Sequence, residues 1–201
     1  MSLKRPTTTA VKRAVKQIKN NPKYNANMGA LDKLFVLFPE NNKIEEVYLK
    51  VVALNELYST NIYNPYKIAT NIVKLDIDKD LKSNTLKIVV KIAKSHSLKT
   101  SGGTKWNFYS FATKYCSWHV AGFYPIYDSY VSAALNSYRK SHKFHEFKNV
   151  DLKDYKKFVA IMTSFMLEFD LQDLSLREVD NFLWKKGKEI KNKVEKIKSI
   201  S

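Results

Sequence analysis

The sequence predicts an all-α protein, and three observations carry that expectation. Glycine and proline number only 5 each in 201 residues, too few for the many tight turns of an all-β fold. Apolar residues recur at helical spacing in one segment after another. Hydrophobic residues make up 44% of the chain, enough to build a full core.

The elements follow in order. Residues 8–19 read as a basic helix ended by Asn20-Asn21-Pro22, inside a basic N-terminal segment 1–24. Residues 28–38 form a short apolar helix stopped before Pro39. Ile44, Val47, Tyr48, Val51, Leu54 and Tyr58 repeat at helical spacing over 43–58. Pro65 opens a helix to about Leu75, since proline is well placed in a first helical turn. Residues 78–94 read as one further helix, followed by a polar break from Ser95 to Lys105. Residues 107–119 are helical, with Phe108, Phe111, Ala112, Tyr115 and His119 on one face. A loop over 120–127 leads to Asp128 and Ser129, which start a helix to about Lys140. Residues 152–169 form a long apolar helix. Ser175 caps a last helix whose end, 185–201, is a lysine-rich, fraying tail. With no repeat and no linker, these about nine helices predict a single helical domain over 1–201. A two-lobed arrangement with a central cleft is the alternative.

Charge narrows the function classes. The formal net charge is +16, an excess whose self-repulsion is offset by a polyanionic partner, most often nucleic acid and less often an anionic membrane; nucleic acid and no membrane is the expectation here. Residues 1–31 hold seven Lys or Arg and no acid, and residues 81–145 hold ten against the single acid Asp128. An isolated carboxylate in cationic surroundings is held ionised. The alternative is a protein whose surface lysines are incidental. No apolar run reaches the length of a bilayer span, and residues 1–5 lack the apolar core of a signal peptide. The single cysteine, Cys116, excludes an intrachain disulfide and fits a reducing compartment. The expected location is the cytoplasm, on the nucleoid, or in the nucleus of a eukaryotic host.

The stretch richest in chemistry is 99–140. It runs Ser101-Gly102-Gly103-Thr104-Lys105-Trp106 into the helix from Asn107 to His119, then through Pro125-Ile126-Tyr127-Asp128 into the next helix. Asn107, Ser110, Lys114 and Ser117 form a polar stripe opposite the aromatic face. This hairpin–helix–loop–helix segment resembles the helix-hairpin-helix DNA glycosylase superfamily, in particular its 8-oxoguanine glycosylase/lyase branch. The similarity covers about 30 residues. Pro125-Ile126-Tyr127-Asp128 looks like the step into the family's essential aspartate, and Ala112 matches the small residue two positions after its catalytic lysine. Aligned without gaps, Ser110 stands where that lysine would be, and Lys114 lies one turn further on. The family's Gly-x-Gly is absent, the only glycine pair in the hairpin being Gly102-Gly103.

The resemblance implies a base flipped from double-stranded DNA and excised, with Asp128 stabilising the cationic sugar or activating the nucleophile. Lys114 is its amine partner in a lyase reaction; Asp128 alone supports water attack in a hydrolytic one. Lys99, Ser101, Gly102, Gly103, Lys105 and Ser110 are the expected DNA contacts, the glycines through backbone N–H groups on phosphate. Trp118 and Tyr127 are candidate walls of a base pocket, and the helix end Asn55–Asn61 a candidate gap-filling turn. Each has a plainer reading: Asp128 as an N-cap, Lys114 as a solvated lysine, Gly102 and Gly103 as a tight turn, the aromatics as core. The pairs Cys116/His119 and His142/His145 fall short of the ligands a metal site needs, so no metal and no cofactor are expected. A monomer is expected. A non-enzymatic helical nucleic-acid-binding protein is the second functional reading.

Overall fold

The computed structural model describes residues 3–94 and 107–198. Among these the protein is all-helical, with ten α-helices and one short 3-10 turn. The chain divides into two compact units, a terminal unit of residues 1–22 and 125–201 and a central unit of residues 23–124.

In the terminal unit, α1 (Thr8–Lys19) begins where the Thr7 hydroxyl accepts the Ala10 N–H, and it buries Val11, Ala14, Val15 and Ile18. That spacing of three, four and seven residues is one face of an α-helix, leaving its lysines and Arg13 on the other. Helix α8 (Ser129–His142) is capped by Asp128. A 3-10 turn at Asp151–Lys153 leads to α9 (Tyr155–Glu168), capped by Asp154. Helix α10 (Leu176–Lys198) starts with a capping box in which Glu178 N–H donates to Ser175 Oγ and Ser175 N–H donates to Glu178 Oε2. It packs on α8 and α1. The core is aromatic: the Phe165 ring lies 4.8 Å from Phe169, 5.3 Å from Tyr138 and 5.3 Å from Phe144.

The α8–α10 crossing is set by Gly187. A Cβ there would stand 2.7 Å from Tyr130 Cα and nearer still to the Tyr130 carbonyl, so backbone rather than a movable side chain fills the space. Gly187→Ala is expected to lower stability by about 1–3 kcal/mol despite alanine's higher helix propensity. Gly29→Ala is the control, since a Cβ at Gly29 meets nothing within 4 Å. Thermal melts followed by circular dichroism should move in opposite directions for the two variants.

The central unit holds α2 (Pro22–Leu37, whose first residue belongs to the terminal unit), α3 (Ile44–Tyr58), α4 (Pro65–Leu75), α5 (Asp78–Lys82), α6 (Lys87–Lys94) and α7 (Tyr109–His119). Helix α3 ends on Ser59 in the left-handed region, and Asn64 caps α4 ahead of Pro65. Helices α4 and α7 pack on α3, and α6 packs on α7.

Three sequence expectations are corrected. Pro22 opens a helix instead of only closing one, because proline lacks an N–H that the first turn would leave unpaired anyway. Residues 78–94 are two helices: Asn84 takes φ 55°, and Thr85 N–H donates to Asp80 O at 2.9 Å, closing α5. The lysine-rich end is a continuous helix to Lys198. Lys185 and Lys186 both pair with Glu189, and the Lys188 and Lys191 amines lie 5.1 and 5.0 Å from the Trp184 and Tyr130 rings.

Candidate functional site

Helix α7 does not present the polar stripe its spacing suggested. From Tyr109 to Trp118 only Ser110 escapes full burial, so the helix is enclosed on every side. Small hydroxyls and a lysine stem tolerate this when their polar ends are bonded. Thr113 Oγ1 donates to Ser110 O at 2.9 Å. Lys114 is 3% exposed; its amine donates to Ser110 Oγ at 2.6 Å and stands 5.4 Å from the centre of the Tyr58 ring. Trp118, 7% exposed, donates from Nε1 to Tyr58 Oη at 3.2 Å and packs on Phe35. Lys114 and Trp118 therefore converge on Tyr58, with Ser110 held on the Lys114 amine; Tyr58 closes the apolar repeat of 43–58 and lies in the polar helix end Asn55–Asn61. The Asn55 side chain of that end is spent on the turn itself, accepting from Thr60 Oγ1 and Ile62 N–H.

In the terminal unit, Asp128 Oδ1 accepts from Tyr130 N–H and Val131 N–H, both at 2.8 Å. Its Oδ2 takes no part in the cap. Tyr127 stands edge-on to Phe158 at 5.6 Å, half-buried, and burial raises its phenol above the ordinary range. Lys114 belongs to the central unit and Asp128 to the terminal one. Lys99, Ser101, Gly102, Gly103 and Lys105 lie outside the described residues.

The central unit also buries a cation. Lys50 is 0% exposed, and its amine donates to Phe38 O, Glu40 O and Asn41 Oδ1 at 3.0, 2.7 and 2.9 Å. Tyr115 Oη donates to the same Asn41 oxygen at 2.5 Å, while Asn41 donates from N and Nδ2 to the Asp78 carboxylate. Burial pushes the Lys50 amine down to about 8, against the upward pull of Asp78 and Glu46. Burial likewise raises the Cys116 thiol and the Tyr115 phenol. Lys50, Asn41 and Tyr115 are structural: each is buried with its polar end bonded rather than presented.

His119 differs in one atom. Its ring packs 4.9 Å from Phe35 and 5.1 Å from Tyr115, and Nε2 is buried with no hydrogen-bond partner. Burial, then the Lys50 charge, lowers its pKa to about 3. The unfolded chain takes up a proton near pH 6.5 that the folded chain refuses. The stability held above that pH is lost as pH falls from 6.5 toward 3, at up to about 1.4 kcal/mol per pH unit. His119→Phe keeps the ring contacts and should flatten the decline of the urea midpoint between pH 7 and pH 4.

A cationic groove in the terminal unit is open to a partner. It has a volume of about 970 Å³ and is lined by the N-terminal segment with α1, the end of α8 and the second half of α10, all within the terminal unit. Lys4, Arg13, Lys140 and Lys193 stand exposed on its rim. Among the described residues, none of the four has a carboxylate within ion-pair distance. The other cations on the lining are engaged: Lys185 and Lys186 with Glu189, and Arg5 with Glu168 and Asp170. The basic segments 1–24 and 185–201 lie far apart in the sequence, and neither overlaps the acid-poor stretch 81–145. The fold brings the two ends together on one surface.

Two comparisons with known proteins give matches. Residues 10–122 match the model of a family described as HI_0787_N, N-terminal domain. Its end falls beside the boundary between the two units. An uncharacterised protein of Haemophilus influenzae is 42% identical over 148 residues, covering 73% of this chain and 69% of the relative. No solved structure matches. Among the described residues, no helix is long and apolar enough to cross a membrane.

Proposed function

We propose that this chain, which belongs to the HI_0787_N family, is a nucleic-acid-binding protein that engages phosphates through its terminal unit. The observation that carries this reading is the groove with four unneutralised cations on its rim. Folding brings those like charges together at an electrostatic cost, and a polyphosphate chain offsets it by releasing its condensed counterions. Four phosphate contacts on a duplex give a slope of about −3.6 in log affinity against log salt. Affinity for a 20-base-pair duplex, read by fluorescence anisotropy, should therefore fall by about a hundredfold between 50 and 200 mM salt. Binding that ignores salt, or no binding of either duplex or single strand at 50 mM, would sink the reading.

A second reading adds base excision, and the placement of Asp128 favours it. The carboxylate stands at the start of α8 with Oδ2 outside the cap, where the family resemblance requires its aspartate. Lys114, at 3% exposure, is closed to substrate in this conformation. The form of the chemistry proposed is accordingly hydrolytic. Water attacks the sugar C1′, its proton passes to Asp128, and the glycosidic bond breaks with the electron pair leaving on the base.

A further inference from the structure

We infer that the groove of the terminal unit binds an unpaired nucleic-acid strand in preference to a duplex. The inference rests on the nucleic-acid reading above and concerns which form of the polymer the groove accepts.

The rim and the floor of the groove differ in chemistry. Lys4, Arg13, Lys140 and Lys193 surround the opening, while Ala14, Tyr138, Phe182, Ile190 and Val194 line the interior. Tyr138 and Phe182 are 2% and 1% exposed, so they form the base of the floor. Val194 is 47% exposed and Ile190 is half-buried, so aliphatic surface from α10 faces the opening. An apolar surface of this kind gains free energy only if the ligand brings apolar surface to it.

A duplex cannot supply that surface. Its outside is phosphate and sugar, its base faces are stacked away, and its cylinder is convex, so it meets the rim cations and leaves the floor wet. A single strand can turn its bases inward and keep its phosphates outward. Its base faces then cover Ile190 and Val194 while its phosphates meet the four cations. Positively charged grooves that track the backbone of an unpaired strand, with side chains packed on its bases, follow this plan. Here aliphatic groups take the place of stacking aromatics. A lipid-like occupant would use the floor equally well but carries one headgroup, against four separate cations. The spread of charge matches a polymer with a repeated anion.

The test uses the full chain and four probes: a 20-nucleotide thymidine strand, a mixed-sequence single strand, a duplex of that sequence, and inorganic polyphosphate. Both single strands should bind at least about tenfold more tightly than the duplex and than polyphosphate, which offers charge without bases. Val194→Asn alters an exposed position and should bring the strand affinity down toward that of the duplex, leaving the duplex affinity unchanged. The combined variant K4Q/R13Q/K140Q/K193Q should lose about 2.8 from the salt slope on the single strand. Equal or tighter binding of the duplex, polyphosphate matching the strand, or no effect of Val194→Asn would overturn the strand preference while leaving salt-dependent duplex binding intact. An unchanged slope in the fourfold variant would overturn the groove itself as the site. Failure of every probe to bind would overturn both this inference and the nucleic-acid reading.

Discussion

Replacing Lys50 with methionine is expected to cost the central unit about 3–5 kcal/mol. Methionine keeps the unbranched stem and its volume, so packing changes little. What is lost is the donor to three acceptors: Phe38 O, Glu40 O and Asn41 Oδ1. Asn41 retains the Tyr115 hydroxyl, but the two carbonyls that close the α2–α3 connection are left without the amine. Removing one member of a buried polar cluster leaves the others desolvated and unpaired, which is why the loss exceeds that of an ordinary hydrogen bond. Lys43→Met is the comparison. That amine bonds Glu46 across one turn at the surface, where water screens the pair, and its loss should leave the urea midpoint nearly unchanged. Urea unfolding read by tyrosine and tryptophan fluorescence separates the two variants.

The same amine sets a pH dependence with a definite sign. Its pKa is about 8 in the folded chain and about 10.4 in the unfolded one. Between those values the unfolded chain binds more protons, so stability rises with pH over that window. The Lys50→Met variant lacks this rise. The buried Cys116 thiol, held above its ordinary value of 9.0, and the buried Tyr115 phenol, held well above 10.0, both contribute in the opposite direction as pH rises past those values, so the Lys50 slope is read between pH 8 and pH 9 as the difference between wild type and Lys50→Met.

Helices were legible in the sequence wherever one apolar face and a capping residue coincided. Pro65 before α4, Asp128 before α8 and Ser175 before α10 all mark starts the structure retains. The break inside 78–94 was not legible, because Asn84 takes a left-handed turn that many residues can adopt and its signal is a single hydrogen-bonded turn. Helix α7 shows a deeper limit. Its Lys114, Ser110 and Ser117 have the spacing of an exposed polar face, and nothing local reveals that other helices close over them. The buried Lys50 was invisible for the same reason, since its acceptors are backbone carbonyls that every sequence possesses. The groove lay halfway between. The basic character of residues 1–24 and 185–201 could be read directly, but not that Arg13 and Lys193 share one rim. Charge composition is a property of the chain, whereas charge placement belongs to the contacts of α10 with α1 and α8.

Asp128→Asn separates binding from chemistry in the base-excision reading. Asparagine is as good an N-cap as aspartate, and its side-chain oxygen can accept the same two N–H groups of Tyr130 and Val131. The helix should stay in place, with the melting temperature within a few degrees of wild type. Only the negative charge and the proton acceptor are removed. If Asp128 activates water or stabilises a cationic sugar, release of an oxidised or otherwise damaged base from an oligonucleotide should fall by at least about a thousandfold, with affinity unchanged. Release that survives the substitution would remove Asp128 from the chemistry. Borohydride reduction during turnover tests the amine separately. The enclosure of Lys114 leads to the expectation of no covalent adduct in the wild-type chain. An adduct lost in Lys114→Ala would show instead that α7 opens to deliver its amine, and would return the reaction to a lyase course. Release by neither course, with salt-dependent binding retained, would leave the binding function of the terminal unit standing alone.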